Sequence, residues 1–209
     1  MENTKQELQQ AIENARGLIK YIIDALDELC VKEAIYDDRI RTSLLLYDIA
    51  IEHYFGIVKL VDARIYASAF ALLRSSFESF IRASWIHLSA TDDQIKIFIQ
   101  NDYIKPSINK LTEAIDTQPD FCDISLVTLT TNAWTAMNSY THSGMLQIGR
   151  RLNKNIIEPR YEPIEIIEVL KASGTFALLT LRQIARIAGD KIIINNIDSM
   201  LSRNTYNDN

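Results

Sequence analysis

ARIYASAFALLRSSFESFIRASWIHLS, residues 63–89, is the stretch that decides the fold. Its apolar residues run almost all round a helix, the pattern of a helix buried by neighbours on most sides. At 100° per residue, Arg64, Arg74, Glu78 and Arg82 share a sector of about 80°. Arg74, Glu78 and Arg82 are spaced i, i+4, i+8, which sets a carboxylate between two guanidinium groups. This row is either a ladder of ion pairs on the one wet stripe or a partly buried polar line facing a cleft. A central helix of this kind needs other helices around it, and the flanking sequence supplies them.

Upstream, Leu8, Ile12, Ala15, Ile19, Ile22 and Leu26 repeat at spacings of three and four, which predicts a helix from about Thr4 to Val31. Asp37 and Asp38 open a second helix carrying Ile40, Leu44, Tyr47, Ile51, Tyr54 and Val58, with acidic residues at its positive end. Downstream, Thr91-Asp92-Asp93-Gln94 has the spacing of a capping box and predicts a short helix through Ile99. A fifth follows Pro106, with Ile108, Leu111 and Ile115 inward. The sixth spans about Ser125 to Thr141 and ends before Gly144, the expected stop. Residues 143–161 have no clear period. Pro163 suits the first turn of a seventh helix, through about Ala188, and Gly189-Asp190 ends it. A short eighth helix and a frayed NTYNDN tail complete the chain. The expectation is an all-α fold: one bundle of seven or eight helices around a central apolar helix, a single domain over 1–209.

Composition agrees. Six glycines and four prolines in 209 residues are too few for a sandwich or barrel with many tight turns. The net charge of −5 argues against a protein that coats nucleic acid through overall basicity. Cys30 and Cys122 stand apart from each other and from any histidine cluster, so no metal site is expected, and reduced core thiols are. No signal peptide and no membrane-length apolar run are visible, which points to a cytoplasmic protein. No cofactor is called for.

Outside the central helix the strongest local signal is Asn138-Ser139-Tyr140-Thr141-His142-Ser143-Gly144. On the sixth helix, Thr131, Thr135, Asn138 and His142 fall on one polar face, opposite Leu126, Leu129, Ala133, Met137 and Tyr140. The carbonyls at a helix C-terminus favour imidazolium at His142. A histidine beside a hydroxyl and an amide suits proton donation or phosphate binding. Alternatively, the histidine simply satisfies the last carbonyls. Arg150, Arg151, Lys154 and Arg160 then give an acidic protein a local basic loop. His53 reads as a solvent or helix-interface residue, and His87 carries no site reading, because the five-residue step from Arg82 to His87 points those two side chains about 140° apart.

The run from Ala69 through Arg74 to Glu78, together with Tyr140-Thr-His142-Ser-Gly144, resembles the HEPN-like helical superfamily. The resemblance implies metal-independent RNA cleavage in toxin–antitoxin or phage-defence systems, by a homodimer whose paired motifs line a shared cleft. His142 matches the motif histidine and Asn138 its polar position, whereas the arginine position falls on Met137. Carried over, the resemblance implies His142 as acid/base oriented by Asn138. Arg74, Glu78 and Arg82 would complete the catalytic set, with Arg74, Arg82 or Arg150 as the phosphate-binding cation. Arg150, Arg151, Tyr140 and Ser143 are the expected RNA contacts. RNA is then the substrate, and an antitoxin or other defence protein the partner. The rival expectation is a non-catalytic helical interaction or regulatory subunit with a degenerate site, which Met137 and the acidic net charge favour.

Overall fold

The computed structural model describes residues 2–29, 37–101, 106–122, 124–153 and 155–206. These residues form nine α-helices and one minimal hairpin, so the fold is all-α as expected. In chain order the elements are α1 (Glu2–Glu28), α2 (Asp38–Asp62), α3 (Tyr66–Leu88), α4 (Asp92–Asn101) and α5 (Ile108–Asp116). A 3-10 turn (Pro119–Phe121), α6 (Leu126–Thr141) and α7 (Met145–Gly149) follow. Strands β1 (Leu152–Asn153) and β2 (Ile156–Ile157), then α8 (Pro163–Ala188) and α9 (Lys191–Tyr206), complete it.

The central helix is α3. It packs against α2, α5, α6 and α8, while α8 also receives α1, α2 and α9. Phe70, Phe77, Phe80, Ile81 and Ile86 of α3 are fully buried and join one continuous apolar core that reaches from Ala15 to Ile197. At about 25 cal/mol per Å² of apolar surface, such burial is the main term holding the helices together.

Local chemistry sets the helix ends. Asp37 accepts a hydrogen bond from the Ile40 amide (2.9 Å) and caps α2. Thr91 and Gln94 form the expected capping box (2.8 and 3.3 Å). Asp116, at the end of α5, accepts from the Leu126 and Val127 amides (2.9 and 3.0 Å) and so fixes where α6 begins. Glu162 and Glu165 make a second capping box around Pro163, and Gly189 (φ +73°) ends α8 in the left-handed region.

The structure departs from the sequence expectation in several places. α1 ends at Glu28, and Val31 lies outside the described residues. α3 begins at Tyr66, three residues late, because Arg64 takes a left-handed backbone (φ +59°) that breaks the helix. α4 runs on to Asn101. The segment 143–161 contains α7 and the hairpin, paired Leu152 to Ile157 and Asn153 to Ile156. The final helix, α9, is long, at 16 residues. It includes residues 204–206 of the tail expected to fray, and 207–209 lie outside the described residues. Cys122 is an exposed free thiol where a core position was expected, and Cys30 is outside the described residues. No described helix is long and apolar enough to cross a membrane.

Candidate functional site

Two rows of side chains meet where α6 crosses α3. On α3 the row is Arg74, Glu78 and Arg82; on α6 it is Trp134, Asn138 and His142, also at i, i+4, i+8. The helices run in opposite directions here, since Phe77 packs on Trp134 (centroids 6.4 Å) and Phe70 on Tyr140 (5.0 Å). The Thr141 hydroxyl donates to the Ala71 carbonyl (3.0 Å) and holds the end of α6 against α3.

Arg74 is the hub. Its Nε donates to Glu78 (2.5 Å), its guanidinium lies over the Trp134 ring (4.8 Å), and its Nη1 meets His142 Nε2. Arg82 Nη2 reaches the other Glu78 oxygen at 3.4 Å. The side chains of Arg74 and Glu78 are each 20% exposed and that of Arg82 is 39% exposed. With Trp134, Ser107 and Asn109 they line an open cleft of about 300 Å³ between α3, α5 and α6. The polar row therefore faces a cleft. Ser107, in the N-cap position of α5, makes no capping bond through its side chain, so the first amides of that helix add positive potential to the same cleft.

A guanidinium only donates, so in this contact the His142 Nε2 stands as the acceptor.

The end of α6 places the ring. His142 is the C-cap, Ser143 takes a left-handed backbone (φ +52°), and the Gly144 amide donates to the Ser139 carbonyl (2.7 Å). This is the Schellman bond, with serine in the left-handed position and glycine one residue later. Gly144 is required for a different reason from the one expected. A Cβ there would sit 2.5 Å from Ser139 Oγ.

The other expected residues separate from the cleft. Met137, where the HEPN-like resemblance places an arginine, is 2% exposed and packs in the core, so an arginine there could not reach His142. Asn138 Oδ1 is buried with no hydrogen-bond partner, and no bond joins its side chain to His142. Arg150 is held by Glu165 and by the Leu146 carbonyl (2.7 Å), over the Tyr140 ring (5.2 Å). Tyr140 lies beneath it, its hydroxyl pushed up by burial while Arg150 opposes. Arg151 lies near Tyr161, whose hydroxyl is likewise raised by burial and lowered by Arg151 and Arg150. Ser143 is exposed. Trp134, Ser107 and Asn109 were missed. Trp134 was findable, since it stands one turn before Asn138 in the row that ends at His142. Among the described residues, no group of three or more His, Cys, Asp or Glu side chains could hold a metal ion.

No curated protein and no solved structure matches the chain. One family model matches residues 47–208, which include every residue of the cleft and leave out α1. On that match, the chain belongs to the family of unknown function DUF6988.

Proposed function

We propose that the cleft between α3, α5 and α6 engages the phosphodiester backbone of RNA and that the chain is a HEPN-like, metal-independent endoribonuclease. One observation carries this reading. Arg74 and His142, 68 residues apart in sequence, meet at the edge of a cleft that also holds Arg82 and an aromatic ring.

A phosphate entering the cleft competes with Glu78 and His142 for the Arg74 donors. Once Arg74 turns to the phosphate, His142 Nε2 is free to take the 2′-hydroxyl proton. The 2′ oxygen attacks phosphorus, the P–O5′ bond breaks, and water at the cleft mouth protonates the leaving 5′ oxygen. Arg74 and Arg82 stabilise the charge that builds on the phosphorane. Trp134 offers a stacking surface for a base. The products would be a 2′,3′-cyclic phosphate and a 5′-hydroxyl. Such an activity suits a cytoplasmic toxin or phage-defence effector. The exposed apolar side chains Met145, Ile148, Leu152, Ile156 and Ile157 support a protein partner, either a second copy or an antitoxin.

The test is cleavage of single-stranded RNA in EDTA. The wild type should leave cyclic phosphate ends, and His142→Ala should lose about a hundredfold or more in rate. Equal rates would reject the proposal. A second reading, the non-catalytic interaction subunit, is favoured by Glu78. That carboxylate pairs with both arginines and leaves the row one net positive charge, a small electrostatic pull on RNA.

A further inference from the structure

We propose that the chain carries a second anion site, a phosphate-binding pocket at the start of α3 built around Arg64 and Arg151. The pocket is about 210 Å³ and is lined by Arg64, Tyr66, Ser68, Arg151, Pro159 and Tyr161 among others. No carboxylate is among its lining residues, which separates it from the Arg74 cleft. Among the described residues, neither Arg64 nor Arg151 has an ion-pair partner. The carboxylate nearest to Arg64 in sequence, Asp62, is occupied by a two-pronged bond from Arg16 (3.0 and 3.1 Å). Glu158 accepts from Asn153 (2.5 Å), and Glu162 pairs with Arg160 (3.5 Å). Among the described residues, two cations therefore share a pocket whose lining holds no carboxylate, and neither is in an ion pair.

The backbone adds to them. Ile65 stands at the N-cap of α3 and has no side-chain acceptor to offer, and the first turn of α3 holds no acidic residue. The first intrahelical donor is the Ala69 amide, to Ile65 O (3.2 Å), which leaves the Tyr66, Ala67 and Ser68 amides for a ligand. Two guanidinium groups and three amides suit a tetrahedral oxyanion. The volume is below the roughly 300–1,000 Å³ of pockets that enclose larger ligands, so a single phosphate group is the fitting occupant. It could be borne by RNA or by a free mononucleotide. Only the RNA source rests on the proposed nuclease reading.

The test is an amide NMR titration of the full chain with inorganic phosphate, AMP and the 5′-phosphorylated diribonucleotide pApA. All three should shift the Tyr66, Ala67 and Ser68 amides. Arg64→Gly and Arg151→Gln should each weaken binding about tenfold. Arg64→Gly is a clean probe, because glycine takes the left-handed backbone without strain and the fold is retained. Tighter binding of pApA than of AMP assigns the ligand to RNA; equal binding assigns it to a free phosphomonoester. Amides that stay unmoved, or shifts that persist equally in both variants, would overturn the pocket. His142→Ala should leave these shifts in place, so the failure of one proposal is distinguishable from the failure of the other.

Discussion

Arg74 and Arg150 are built alike and used differently. Each guanidinium lies over an aromatic ring of α6, Trp134 or Tyr140, and each pairs with a glutamate, Glu78 or Glu165. Arg150 spends its donors on structure. It ties α7 to the capping box of α8 through Glu165 and closes on the Leu146 carbonyl. Arg74 instead ends on an imidazole at an open cleft, where, on the proposed function, a phosphate replaces His142 as the acceptor. The partner of the guanidinium, and whether that partner can let go, separates a strut from a site.

The largest effect should come from placing an arginine at Met137, where the HEPN-like resemblance expects one. Met137→Arg places an unpaired charge in the core and should cost about 3–5 kcal/mol, read as a collapse in thermal stability. A Met137→Arg chain that folds normally and gains RNA cleavage would move the site away from Arg74.

Next is Arg150→Met, which removes the tie to Glu165 and should cost about 2 kcal/mol by chemical denaturation. It should leave the His142 ring resonances unchanged. If they move, the two arginines are coupled and the contrast fails.

A smaller effect comes from acid. Burial lowers His87, Arg39 adds to this, and Asp120 opposes it. The unfolded chain then takes up protons near the usual 6.5 that the folded chain refuses. Stability is fully present above that pH and falls as pH drops below it. His53, also lowered by burial, acts in the same direction. His87→Gln should flatten the fall by its share, and Arg150→Met should keep the wild-type slope. A slope indifferent to His87→Gln would reject this cause.

The sequence made the all-α bundle legible through the period of α3, whose charges are confined to one stripe while Phe70, Phe77, Phe80 and Ile86 take the rest. The Arg74–Glu78–Arg82 row was legible for the same reason. The meeting of Arg74 with His142 was not, because it depends on how α6 lies across α3. Arg74, Arg82 and Arg150 were therefore equal candidates on sequence. The hairpin was invisible because strands of two residues have no period to detect. The late start of α3 was hidden too, since arginine gives no sign that it will take a left-handed backbone.

The most direct measurement compares the metal-free RNA cleavage rates of Arg74→Lys and Arg150→Lys. Lysine keeps the charge and loses the fork that can hold an imidazole and a phosphate in turn. Arg74→Lys should lose about tenfold or more while Arg150→Lys cleaves like the wild type at temperatures where both are folded. Equal rates for the two variants, or a loss confined to Arg150→Lys, would contradict the assignment of the cleft.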